Sequence, residues 1–211
     1  MKKIAFLVIL VALILNSCVN LDIKDEYPEI IYYQFEQSDN TQLNDIKPIN
    51  AAILIRNFTI SNEFDTKHII ANWDGKRVQR YFYHRWISEV PDMISDFIFS
   101  KMAKVKLCKF GPIKSSSLIV PDYIMEAQII NFSVNNFEKV TNKKNNVELE
   151  IKVNLIRRLS NADGEKIVYT EVYSEKIERE NNLVSSVAPA FSQALSVVSD
   201  RIFLDMMKRL N

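Results

Sequence analysis

Few residues in this chain are equipped for covalent chemistry: it has 2 cysteines and 2 histidines, and one cysteine stands where its sulfur has an evident use. Cys18 directly follows Leu15-Asn16-Ser17. An aliphatic residue three places before a cysteine and a small one just before it resemble the bacterial lipobox, which is cut between Ser17 and Cys18. The freed Cys18 would then carry long acyl chains such as palmitate. Each buried methylene contributes about 0.8 kcal/mol, so several chains hold a protein at a membrane almost irreversibly. The plainer alternative is an ordinary secretory signal with an incidental cysteine.

The remaining reactive groups do not assemble into a catalytic pattern. Cys108 has no partner once Cys18 carries lipid, so the chain is no disulfide scaffold, and Cys108 reads as a small apolar packing residue. His68 and His84 lie in separate segments. Asp65 with His68 would need His84 or Cys108 to hold a metal, and such sites usually show denser ligand spacing, so packing or exposed histidines are the better reading. Glu148 and Glu150 alternate on one strand face, where charge serves solubility. The 3 glycines, Gly75, Gly111 and Gly164, are isolated in turns, which leaves no phosphate-binding loop or dinucleotide fingerprint. No cofactor, no metal and no enzymatic activity are expected.

Tyr81-Phe82-Tyr83-His84-Arg85-Trp86 is the densest aromatic stretch. Aromatics dominate core energetics, so its first reading is packing of a helix onto a sheet. The functional alternative is a partner contact through Tyr81, Tyr83 and Trp86.

Elements to position these residues are legible along the chain. Lys2 and Lys3, the apolar run Ile4 to Leu15 and the cysteine make residues 1–17 a lipoprotein signal peptide. As a helix the apolar run would span about 18 Å, short of a hydrocarbon core of about 30 Å. Residues 18–29 read as an acylated tether, poor in apolar groups, and 30–211 as a single α+β domain. Strands are predicted over Ile30 to Phe35, Ala51 to Ile60, Val78 to Tyr83 and, briefly, Lys106 to Phe110, with Asp74-Gly75 as a turn. Val147, Leu149, Ile151, Val153 and Leu155 alternate with polar residues, a strand with one dry face. Strand-like Asp122 to Val134 and Lys166 to Ile177 flank it, which predicts an antiparallel meander. Ser88 to Val105 and Val187 to Leu210 carry apolar residues at spacings of three and four, two amphipathic helices, the first with Ser88 as its cap. The predicted fold is α+β, a mostly antiparallel sheet with two long amphipathic helices packed on one face and the other face partly exposed.

The whole chain has 27 basic and 26 acidic groups, and loss of Lys2 and Lys3 with the signal leaves 25 against 26. Such a balance argues against a nucleic-acid partner.

Asn57-Phe58, Phe64-Asp65, Ile69-Ile70, Gly75, the Tyr81 to Trp86 stretch and Pro91 follow one another in a recognisable order. Together with Pro121-Asp122-Tyr123-Ile124-Met125-Glu126 and the Ser/Ala-rich helix from Val187, this order resembles the ABC-type transport auxiliary lipoprotein family, the paraquat-inducible protein C-like group. The resemblance implies a non-enzymatic lipoprotein of an intermembrane lipid-transport system. It would work on the periplasmic side with a mammalian-cell-entry domain protein, a permease and an ATPase. The family's Pro-rich segment after the lipobox is nearly missing here. Val19 rather than Asp after the cysteine resembles an outer-membrane address. The other reading is a solitary envelope lipoprotein serving cell-wall synthesis or outer-membrane assembly.

Overall fold

A computed structural model describes residues 28–37, 47–138, 143–159 and 164–210. The signal, Ser17, Cys18 and most of the tether lie outside the described residues. In chain order the strands are β1 (Ile31–Tyr33), β2 (Ile53–Ile55), β3 (Thr59–Ile60), β4 (His68–Trp73), β5 (Arg77–Trp86), β6 (Pro112–Ile113), β7 (Tyr123–Asn136), β8 (Asn146–Arg158) and β9 (Glu165–Glu178). The helices are α1 (Val90–Lys104), between β5 and β6, and α2 (Val187–Leu210), which closes the fold. This is the α+β class that the patterning predicts.

β7 organises the curled sheet. Along one side it pairs antiparallel with β8 from Tyr123 opposite Arg157 to Asn135 opposite Asn146. β8 pairs antiparallel with β9 in turn, which completes the predicted meander. Along its other side β7 receives β2, β3 and β4 one after another, all parallel. The long ladders are antiparallel, while the parallel ones engage only two or three residues each, as at β1 with β5 and β2 with β6. Parallel pairs need a long crossover, and that separation is why periodicity gave no sign of them.

The inner face is held by alternation corrected at one place. Met125, Ala127 and Ile129 are buried, then Phe132 and Val134, and the register shifts between Ile129 and Asn131. A slip of one residue would otherwise turn Phe132 and Val134 outward, so the bulge keeps both halves of β7 facing the helices. β8 contributes Val147, Leu149, Ile151, Val153 and Leu155, all buried as expected. Both helices share one apolar core with this face, through Ile94, Ile98 and Met102 of α1 and Phe191, Leu195, Val198, Ile202 and Met206 of α2. The outer face carries Lys176 against Glu148 at 2.7 Å and Thr170 against Asn154 at 2.8 Å, a wet surface.

Local expectations need four corrections. The predicted strand over Ala51 to Ile60 is two strands, because Ile55 faces Met125 and Thr59 faces Gln128, three residues spanning the room of two. No strand covers Lys106 to Phe110. Lys106 sits at φ 53°, its N–H bonds Ala103 O and that of Leu107 bonds Met102 O, a Schellman stop to α1. Only Cys108 then bridges to Ile49, and the strand lies beyond at Pro112–Ile113. Ser88 does not cap α1. Glu89 holds that position with no side-chain bond, and Pro91 is tolerated in the first turn, where N–H groups lack partners anyway. Finally β4 exists where no strand was predicted, joined to β5 by Asp74-Gly75, both at positive φ as a tight hairpin requires.

Candidate functional site

The aromatic stretch sits on an irregularity in β5. His68 faces Arg85 while the next residue, Ile69, faces Tyr81, so Phe82, Tyr83 and His84 loop out with no partner on β4. On its other side β5 is paired only at His84–Trp86, by β1. Among the described residues, Arg77 to Tyr83 therefore present an unpaired strand edge. Unpaired edges offer N–H and C=O groups to another chain.

The bulge sorts the aromatic side chains. Trp86 is 2% exposed and sits 5.1 Å from Phe35, 5.6 Å from Phe132 and 6.0 Å from Phe191, ring centre to ring centre. It is a core anchor, which removes it from the predicted contact set. Tyr81 is half-buried against the same core. Tyr83 and Phe82 stand out, Phe82 at 65% exposure. Sequence reasoning did not single out Phe82, and only the bulge, which no periodicity signals, exposes it. Tyr33 and His84 join the two strands, Tyr33 Oη lying 2.9 Å from His84 Nδ1.

Both histidines lie at this edge, His84 facing Ile31 and His68 facing Arg85. Partial burial, then Arg85 and Arg80, lower the His68 pKa, so its imidazole is neutral at pH 7. The cationic character of the edge comes from Arg77, Arg80 and Arg85. Arg85 donates from Nε to Phe82 O at 3.3 Å, which braces the bulge. Cys108 is elsewhere, buried beside Met102 with Sγ 3.8 Å from Sδ, and burial pushes its thiol up to about 12. Among the described residues no three of His, Cys, Asp and Glu are grouped as metal ligands would be. Glu148 serves an ion pair with Lys176 on the outer face. What the edge offers is recognition: two exposed rings, guanidinium groups and free backbone.

No family model and no curated protein matches this chain. Solved structures do. A Xanthomonas campestris protein of the DUF330 family aligns with TM-score 0.71 at 16% identity, over 85% of this chain and 95% of its own. An uncharacterized protein aligns with TM-score 0.62 at 8% identity, over 84% and 99%. A lipoprotein of Neisseria meningitidis aligns at 8% identity over 71% and 99%, with a TM-score of 0.36 that is too low to carry an argument. This chain accordingly has the fold of the Xanthomonas DUF330 protein, and at such identities the likeness reaches the fold alone.

Proposed function

We propose that this chain is a membrane-anchored accessory lipoprotein of an intermembrane lipid-transport system, held by acylated Cys18 and working as a docking component on the periplasmic side. The anchor rests on the Leu15 to Cys18 pattern, and the transport setting on the resemblance carried by Asn57 to Pro91 and Pro121 to Glu126. One observation favours docking over carrying lipid. The apolar centre between sheet and helices is filled, with Phe132 stacked on Phe191 at 3.9 Å and Trp86 and Phe35 packed around them. The hollow of about 940 Å³ beside it, between β1 and α2, is open and lined largely by polar side chains such as Gln34, Glu36, Ser192 and Gln193. A lipid carrier would need that apolar space as a cavity. The surface best suited to docking is the β5 edge, where exposed rings and guanidinium groups flank free backbone, a fit for an extended acidic segment of the mammalian-cell-entry partner that adds a strand there.

The full-length lipoprotein, solubilised from membranes, should capture that partner. Tyr83→Ala with Phe82→Ala should weaken capture at least tenfold while leaving thermal stability near that of the parent, because both rings are already exposed. Co-purified phospholipid at one per chain, with no partner captured, would reverse the assignment from docking to carriage.

A further inference from the structure

The open edge of β5 lies beside the path by which the chain's own N-terminal segment enters the sheet. β1 runs parallel to β5, with Ile31 facing His84 and Tyr33 facing Trp86, so the residues before Ile31 approach from the Arg77 side of the bulge. Among the described residues Lys76, Arg77 and Arg80 are exposed and have no carboxylate partner, Arg77 lying over the Trp73 ring at 5.4 Å. Asp74, the one acid of the β4–β5 hairpin, is engaged with Glu138 N–H at 3.3 Å. The segment from Val19 to Glu29 carries the opposite sign, with Asp22, Asp25, Glu26 and Glu29 against Lys24. Its Val19, Leu21 and Ile23 alternate with Asn20, Asp22 and Lys24, the period of an extended strand.

We infer that this acidic tether continues β1 as a parallel strand along Arg77–Tyr83 and is the resting occupant of that edge. The backbone phase fits. Tyr33 O accepts from Ile87 N–H at 2.9 Å, so Tyr33 directs its groups at β5, and in an extended chain Ile31, Glu29, Tyr27 and Asp25 do the same. Pro28 falls between them, at a position whose N–H would face away from β5, which is where an edge strand tolerates proline. The bulge lengthens β5 and leaves this alternation intact. Side-chain faces fit as well. Buried Ala71 faces Gln79, so Arg77 and Gln79 share the helix side of the sheet and Arg80 the other. Tyr33 packs on the core, which places Asp25 and Glu29 on the face of Arg77 and Glu26 on that of Arg80. Val19 to Glu29 is 11 residues, at most about 36 Å when extended, against roughly 23 Å for the edge. In the structure the ladder ends at Ile31 and Pro28 to Ile30 stand outside any strand, the released form in which the edge is open. The inference deepens the docking reading and rests on it for what displaces the tether: an acidic partner strand takes the edge, and the freed tether lengthens the reach from Cys18.

The test follows amide hydrogen exchange over Arg77–Tyr83 in the mature acylated lipoprotein, held in detergent with no partner, and in a variant carrying Asp25→Lys, Glu26→Lys and Glu29→Lys. Edge-facing amides of the parent should exchange at least tenfold more slowly than those of the variant. Adding Arg77→Glu and Arg80→Glu to the variant should restore slow exchange. Circular dichroism should be alike in all three, because Glu29, Arg77 and Arg80 are exposed. Equal exchange in parent and variant, or no recovery when both sides are reversed, overturns the inference. Exchange is read without a partner, so slow exchange in the parent beside a failure of either form to capture the partner would count against docking and leave the tether on its edge.

Discussion

A buried ion pair between the two helices supports a prediction whose size follows from its surroundings. Lys101 of α1 and Asp200 of α2 have side chains 3% and 7% exposed, with Nζ 2.8 Å from Oδ1. Nζ also donates to Ser196 O at 2.7 Å and to Ser196 Oγ at 2.8 Å. Burial lowers the Lys101 pKa by more than the hydrogen bond and charge of Asp200 raise it. Desolvation thus outweighs attraction, the regime in which a buried pair adds little but a broken one is costly. Lys101→Met should cost about 3 to 5 kcal/mol by leaving Asp200 buried without its cation. That is a fall of roughly 6 to 20 °C in Tm for a chain of this size. Lys101→Met with Asp200→Leu should return to within about 1 kcal/mol of the parent, or above it. Urea unfolding of the parent, both single variants and the double variant gives the coupling. Additive losses, or a Lys101→Met loss below about 1 kcal/mol, would refute the reasoning. The pH arm has a fixed sign. Between the lowered folded pKa of Lys101 and its ordinary value, the unfolded chain binds more protons, so this residue makes stability rise with pH there, a slope that Lys101→Met abolishes.

Other outcomes follow from single positions. Trp86→Ala should cost about 3 to 5 kcal/mol, measured by thermal melting, since it empties the centre of the aromatic cluster. Lys106→Gly should stabilise by about 1 kcal/mol in the same assay, because Lys106 occupies the left-handed position that ends α1. Cys18→Ala should leave a precursor that takes up no labelled fatty acid, and the parent should fractionate with the outer membrane; labelling of the variant would count against the anchor, and inner-membrane recovery of the parent against the outer-membrane address. Cys108 should resist alkylation at pH 8 until the chain is unfolded, its thiol being buried and raised to about 12.

The sequence disclosed most where one period governs a long segment. The alternation from Val147 to Leu155 and the three-and-four spacing from Val187 onward match β8 and α2 nearly to their ends. It disclosed least where pairing is short and distant. His68–Trp73 has no clean alternation, and it becomes a strand through Asp74-Gly75 on one side and Val134 to Asn136 on the other. Lys101 and Asp200 read as ordinary polar positions of amphipathic helices, and their burial depends on two helices meeting across a long stretch of chain, with Lys101 bonded to Ser196 at a separation of 95 residues. The site was half legible. Composition drew attention to Tyr81 through Trp86, but which rings face outward depends on a bulge set by the opposite strand.

The three short strands that share one side of β7 also set an order of events during folding. Ile53 meets Tyr123 only after 69 residues have intervened, and Ala71 meets Val134 after 62. Such long closures are slow, since chain entropy is lost before any contact compensates it. β2 and β3 have no long partner until β7 is present, β4 has only its hairpin partner β5, and the apolar face, covered in part by α1, is not closed until α2 arrives at the C-terminal end. A chain threaded across a membrane from its N-terminus would thus emerge with adhesive, incomplete surfaces for most of its passage. Its biogenesis should depend on holding chaperones during export, and shortening α2 should raise degradation before it alters any interaction of the finished protein.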